Sequence, residues 1–285
     1  MTSQIIGILL LMFNCTNRDT IVDKSKLLGV DYRLFQDTPA WELAKAVRDG
    51  DTDKIKFDVS KNKTLLSFRE PRLGHPLLEM AVMNKNYPSV KMLLELGADP
   101  NMQDLDLGES PLMAAANIGI GTVGSDVRFL KLLLQYGGDP NLEENGPQKQ
   151  GGKRTPLLIA CSGGNLDYVK TLVNAGAKIN AVNEYDMSPL SEAMIYVAEN
   201  NPDIVIYLLQ KGVDFKRPLY KTVPEGENKY ITDALREWRF DLGSNDYKKK
   251  MQIVAFLKKN GMDYWKTKIP EQFLDLYPKA YLEKY

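Results

Sequence analysis

His75 is the sole histidine of this chain, and imidazole is the side chain most often used as a general acid or base near neutral pH. It stands directly before Pro76 at the start of an expected helix, and no G-x-S-x-G nucleophile elbow accompanies it. It therefore reads as a helix-start or surface residue. The two cysteines, Cys15 and Cys161, form no disulfide framework in a chain of this length. Cys161 follows small and aliphatic residues with no basic neighbour to favour a thiolate, so it is expected to be buried and inert. One histidine and two distant cysteines match no zinc spacing. The stretch Gly119-Ile120-Gly121-Thr122-Val123-Gly124 fits G-x-G-x-x-G, but phosphate binding needs a strand before it and a helix N-terminus after it. Here a helical pattern comes first, so the stretch reads as a loop. Asp99, Asp104, Asp106 and Glu109 crowd one segment without the calcium-loop spacing, and a solvated acidic fingertip is expected. No acid, base and nucleophile converge, so neither enzymatic activity nor a cofactor or metal is expected.

The elements that would carry these residues are repetitive. Five phrases share one pattern: Thr38-Pro39-Ala40-Trp41-Glu42-Leu43-Ala44, His75-Pro76-Leu77-Leu78-Glu79-Met80-Ala81, Ser110-Pro111-Leu112-Met113-Ala114-Ala115-Ala116, Thr155-Pro156-Leu157-Leu158-Ile159-Ala160-Cys161 and Ser188-Pro189-Leu190-Ser191-Glu192-Ala193-Met194. A second phrase follows the last four, for example Leu96-Gly97-Ala98-Asp99-Pro100-Asn101. Proline suits a first helical turn, where its missing N–H costs nothing. Ser89 is a candidate N-cap for a second helix carrying Val90, Leu93 and Leu94, and Gly97 is placed to end it. Asp99-Pro100-Asn101 then turns the chain into a finger. The successive prolines lie 37, 35, 45 and 33 residues apart. The long interval places extra residues at 117–124 and 142–154, and insertions in a stacked array go to loops.

This two-part phrase resembles the ankyrin repeat, with its T-P-L-H-x-A signature and period of about 33 residues. The resemblance implies an all-α ankyrin-repeat solenoid of helix-turn-helix units with finger loops and degenerate terminal caps. At the signature's histidine position stand Trp41, Leu78, Met113, Leu158 and Ser191, so the hydrogen bonds made there must be replaced. Ile231–Phe240 and Tyr247–Lys259 read as a last helix pair, with Lys248, Lys249, Lys250, Lys258 and Lys259 on the outer face, because arrays need polar ends. A short helix is expected after Pro270.

The chain has 285 residues with 37 basic and 37 acidic side chains. That balance gives no electrostatic reason for nucleic acid or an anionic membrane as partner. The expected partner is a folded protein. Fingers of alternating sign suit a surface with its own charge pattern, and exposed aromatics suit interface anchors. Asp104, Asp106, Lys153, Arg154, Glu184, Tyr185, Asp186, Tyr220 and Lys221 are the expected contact residues.

Residues 5–13 form an apolar run too short for a bilayer span. Followed by Cys15 and polar residues, the run resembles a bacterial lipoprotein signal, although no Lys or Arg precedes it. That resemblance implies lipidation at Cys15, removal of residues 1–14 and membrane attachment through the lipid alone. The other readings are an apolar helix packed on the array or a misassigned start. The expected organisation is a signal-like segment at 1–14, a polar tether at 15–35, an ankyrin-repeat array at 36–265 and a tail or short helix at 266–285. The location would be the periplasm-facing bacterial envelope, or the cytoplasm without such a signal. The run from Phe35 to Val47 is similar to the opening of bacterial ankyrin-repeat lipoproteins, some of which are immunity proteins for secreted type VI lipase toxins. This implies sequestration of a toxic lipase effector. A general envelope scaffold is the alternative.

Overall fold

The computed structural model describes residues 19–117, 126–147, 152–195, 201–224 and 226–285. Cys15, the apolar run before it and the glycine-rich stretch 119–124 lie outside the described residues.

Five inner helices start at the repeated phrases: α1 (Trp41–Asp49), α3 (Leu77–Met83), α5 (Pro111–Asn117), α7 (Pro156–Ser162) and α9 (Pro189–Ile195). Each is followed by an outer helix: α2 (Thr52–Lys61), α4 (Tyr87–Glu95), α6 (Arg128–Gln135), α8 (Leu166–Asn174) and α10 (Pro202–Gln210). Inner helices pack on inner helices, and outer on outer, in chain order. A further inner helix, α11 (Ile231–Glu237), packs on α9, and α12 (Asn245–Lys259) packs on α10. This is the all-α stacked architecture that the repeat implies. Strand is confined, among the described residues, to the short hairpin β1 (Tyr220–Lys221) and β2 (Asn228–Lys229). Among those residues no helix is long and apolar enough to cross a membrane.

The inner helices stack closely because they carry small side chains. Leu112, Met113, Ala114, Ala115 and Ala116 of α5 are all buried, as are Leu157, Leu158, Ile159, Ala160 and Cys161 of α7. Burying each large aliphatic side chain contributes roughly 1.5–3 kcal/mol. At the signature's histidine position, Leu78, Met113 and Leu158 are buried, so apolar packing replaces a hydrogen bond there. Met113 Sδ still accepts from the Ser110 N–H at 3.4 Å, and Ser191 keeps a polar link, 3.0 Å from the Ser188 hydroxyl.

Asparagines begin several outer helices and tie them back to the preceding unit. Asn86 accepts from the Ser89 N–H and donates to the Val47 carbonyl at 2.8 Å. Asn201 caps α10 and donates to the Gly164 carbonyl at 2.9 Å. Ser89 itself is not the cap: Pro88 belongs to the first turn, so the helix starts earlier, and the buried Ser89 hydroxyl donates to the Val47 carbonyl at 2.7 Å. Gly97 follows the end of α4 with a φ of 97°, a left-handed conformation that glycine adopts without strain.

Two short helices follow Pro270, α13 (Glu271–Leu274) and α14 (Lys279–Leu282). They bring Tyr285 into the last unit. Arg236 donates to the Tyr285 main-chain oxygen at 2.6 Å, the Tyr264 hydroxyl donates to the same atom at 2.7 Å, and Tyr285 donates to the Trp238 carbonyl. Lys250, expected on the outer face, is fully buried instead. Its ammonium group donates to the Trp238 carbonyl at 3.0 Å and lies 3.5 Å from the centre of the Tyr285 ring. The correction has a simple cause: the tail covers the helix face that the sequence pattern leaves to solvent.

Candidate functional site

The fingers lie side by side and are joined through their backbones. Leu105 donates to Leu73, Gly146 to Leu107, and Glu184 to Gly152, at 3.0, 3.1 and 2.8 Å. The approach is closest between Gly108 and Gly146. A Cβ on Gly108 would fall 2.1 Å from the Gly146 nitrogen, and one on Gly146 would fall 2.3 Å from the Leu107 carbonyl carbon. Neither position tolerates a side chain without parting the two fingers.

Each finger is organised by one buried polar side chain. Asp104 accepts from the N–H groups of Asp106, Leu107 and Gly108 on one oxygen and of Glu109 on the other, at 2.7 to 3.1 Å. Glu70 plays the same part for Arg72, Leu73 and His75, and Asn183 for Tyr185 and Met187. Glu144 takes the Arg154 N–H and also its guanidinium, the shortest contact being 2.6 Å. These bonds satisfy turn donors that would otherwise be buried without partners.

Two of the expected contact residues are thereby reassigned. Asp104 is 4 % exposed and belongs to the interior of its finger. Arg154 is engaged with Glu144 and reaches Glu109 at 3.4 Å, so it braces neighbouring fingers. The acidic cluster around Asp104 is correspondingly not a solvated tip: Glu109 is buried as well. Its burial pushes its carboxyl above the usual range, with Arg154 pulling the other way. His75 is neither a surface residue nor a cap. Its Nδ1 lies 3.0 Å from a carboxylate oxygen of the fully buried Glu79, and Asp104 lies beside the pair. Burial pushes Glu79 up to about 7. Burial opposes a charged His75, but the Glu79 hydrogen bond and nearby carboxylates outweigh it, and its pKa is raised.

The remaining expected residues are outward. Lys153, Glu184, Tyr185, Asp186 and Lys221 are exposed, and Asp106 and Tyr220 are half-buried. The structure brings four of them together. Tyr185, Asp186, Tyr220 and Lys221 line a cleft of about 430 Å3, floored by Met187, Ile195, Pro218 and Leu219. Asp186 is paired there with Arg217. Lys153 and Asp106 lie on the neighbouring fingers. Leu105 and Val223, which the sequence reading did not single out, are exposed at 59 % and 92 % near the tips. An apolar residue at the turn between two strands or between finger halves is the signal that would have found them.

An apolar floor, flanking tyrosines and charges of both signs suit recognition of a protein surface.

Comparison with known proteins agrees with this architecture. A family model for ankyrin repeats in three copies matches residues 123–218, and one for ankyrin repeats in many copies matches residues 78–134. Human neurogenic locus notch homolog protein 1 is 27 % identical over 173 residues, which is 61 % of this chain and 6 % of the relative. Its Xenopus laevis counterpart is 31 % identical over 143 residues, 50 % of this chain and 5 % of the relative. A putative ankyrin repeat protein of Rickettsia bellii is 28 % identical over 113 residues, 40 % of this chain and 13 % of the relative. The matched region thus spans a small fraction of these relatives' length. From the stacked helix pairs, the fingers and these matches together, the chain carries an ankyrin-repeat array, a fold whose repeats imply a protein–protein interaction module.

Proposed function

We propose that this protein is a membrane-tethered periplasmic immunity protein that sequesters a toxic secreted effector such as a phospholipase, gripping it with the fingertips and covering its active-site entrance. The observation that carries the binding role is the cleft formed by Tyr185, Asp186, Tyr220 and Lys221, where anchoring aromatics and opposed charges meet over an apolar floor. The envelope location rests on the apolar run before Cys15, and the immunity role on the similarity of Phe35–Val47 to ankyrin-repeat lipoproteins of that kind. A lipid on Cys15 would hold the chain at the membrane.

Co-expression with the effector gene beside this one tests the reading. Cells carrying the chain survive the periplasm-directed effector, and cells carrying Tyr185→Ala with Lys221→Glu lose protection. Killing that is unaffected by the intact chain would refute the immunity role. Recovery of several unrelated envelope proteins on the same surface would favour a general scaffold.

A further inference from the structure

The six carboxylates Glu70, Glu79, Asp104, Glu109, Glu144 and Glu192 are each at most 8 % exposed. The positive groups hydrogen-bonded to them are Arg154 and, when protonated, His75. Arg154 serves Glu109 and Glu144 at one end of the row. The other end has only the imidazole. A buried carboxylate is compensated by hydrogen bonds, by taking up a proton, or by a cation or metal.

That end has the geometry of a metal site. Ligand atoms of His75, Glu79 and Asp104 lie within 4.8 Å of one another. Glu79 Oε2 meets His75 Nδ1, but its Oε1 is buried with no hydrogen-bond partner. An unsatisfied oxygen on a fully buried carboxylate is costly, and this carboxylate lies beside two further ligand side chains. Asp104 Oδ2 accepts a single N–H, from Glu109, and so retains a free lone pair. The four N–H bonds to Asp104 also fix it in place, as outer hydrogen bonds do for metal ligands. The His75 ring is covered on its other side by Gly29, where a Cβ would lie 3.2 Å from Nε2. His75 itself occupies the position held by Thr38, Ser110, Thr155 and Ser188 in the other repeats.

We propose that His75, Glu79 and Asp104 bind one divalent transition-metal ion of the zinc class, joining the third repeat's finger to the second repeat's inner helix. The ion is bound by His75 Nδ1 and by one or both oxygens of Glu79 and Asp104, and it displaces the proton shared between His75 and Glu79, which leaves to solvent. A single imidazole with two carboxylates suits Zn2+, Mn2+ or Co2+ better than Ca2+, which takes oxygen alone. Bonds of about 2.0 Å require ligand atoms roughly 3.3 Å apart. The His75–Glu79 pair is already at 3.0 Å, and because Asp104 is fixed, closing the site brings the other ligand atoms, now within 4.8 Å of one another, to that spacing by movement of the His75 and Glu79 side chains.

The test uses the tag-free chain, stripped with a chelator, and Co2+ and Zn2+ as probes. The expected result is one Co2+ per chain with visible ligand-field bands, displaced by Zn2+. Because the chain has a single histidine, protein labelled with 15N-histidine reports one imidazole, and Zn2+ should move its Nδ1 resonance. Glu79→Gln removes a buried charge while keeping the shape, so it should stay folded and weaken metal binding by about 100-fold. Asp104→Asn is the second variant. Failure of Co2+ to bind, an unmoved Nδ1 resonance, or unchanged affinity in folded Glu79→Gln would overturn the proposal. None of these outcomes bears on the fingertip cleft, so the site stands or falls independently of the immunity reading.

Discussion

Asn141 clasps the unit that follows it: its Oδ1 accepts from the Lys178 N–H at 2.7 Å and its Nδ2 donates to the Gly176 carbonyl at 3.1 Å. Asn101 makes the same pair of bonds to Asp139 and Gly137, and Asn180 accepts from Asp214. Each asparagine thus satisfies the turn of the next repeat, which couples neighbours that share no sequence-local bonds. Asn141→Ala is expected to cost roughly 1–2 kcal/mol, for two partly exposed neutral hydrogen bonds. Urea denaturation monitored by circular dichroism checks this, and an unchanged midpoint would show that apolar packing alone couples the units.

Glu192 makes stability depend on pH. Burial pushes its carboxyl up to about 7, with Arg154 drawing it down and Glu144 raising it further. Asn183 and the Cys161 thiol also face it. The folded value lies above the unfolded one, so the folded state holds the proton more tightly. The stabilisation is complete below the unfolded carboxyl range and is lost as pH rises through about 7. Glu192→Gln should therefore be more stable than the parent at pH 8 by on the order of 1–3 kcal/mol, with the difference vanishing by about pH 4. Denaturation midpoints at the two pH values decide it; a constant offset would mean that Glu192 titrates alike in the folded and unfolded chain.

Lys250 gives the opposite slope. Burial, and secondarily Arg236, push its ammonium down to about 6. The unfolded chain holds that proton up to about pH 10.4, so stability rises with pH between these limits and is least below about 6. Lys250→Met keeps the volume of the stem and removes the charge. A gain on the order of 1–3 kcal/mol at pH 7 is expected, narrowing toward pH 10. A loss at pH 7 would show that the bond to the Trp238 carbonyl outweighs the desolvation.

The paired helices, their proline starts, the closing glycines and the buried Cys161 were legible in the sequence because each follows from local chemistry. A proline fixes a first turn, glycine admits the left-handed conformation, and a run such as Leu112–Ala116 can only face inward. Asp104 and Lys250 were misjudged for one reason: charged side chains read as solvent-facing unless their partners are visible. Those partners are turn N–H groups for Asp104 and a tail far along the chain for Lys250. One clue was present: Asp104, Glu144 and Asn183 each come three residues after Asn101, Asn141 and Asn180. An acid or amide recurring at a fixed offset inside a finger marks a structural acceptor. The cleft at Tyr185 and Tyr220 was legible by residue type, but its closure over Ile195 and Leu219 depends on the hairpin between β1 and β2.

Cys161 has a buried thiol whose pKa is pushed up by burial and by Glu192. The native chain should leave it unmodified by iodoacetamide at pH 8 over a period that fully labels the urea-unfolded chain. Mass spectrometry of its peptide measures this, and rapid native labelling would reveal an opening of α7.

Hydrogen exchange, measured on the chain alone and in complex with the lipase effector proposed as its partner, tests the binding account most directly. Slower exchange at residues 105–107, 184–187 and 219–222, with the outer helices α8 and α10 unchanged, is the predicted result. Protection confined to the outer helices, with the fingertips unaltered in a formed complex, would contradict it.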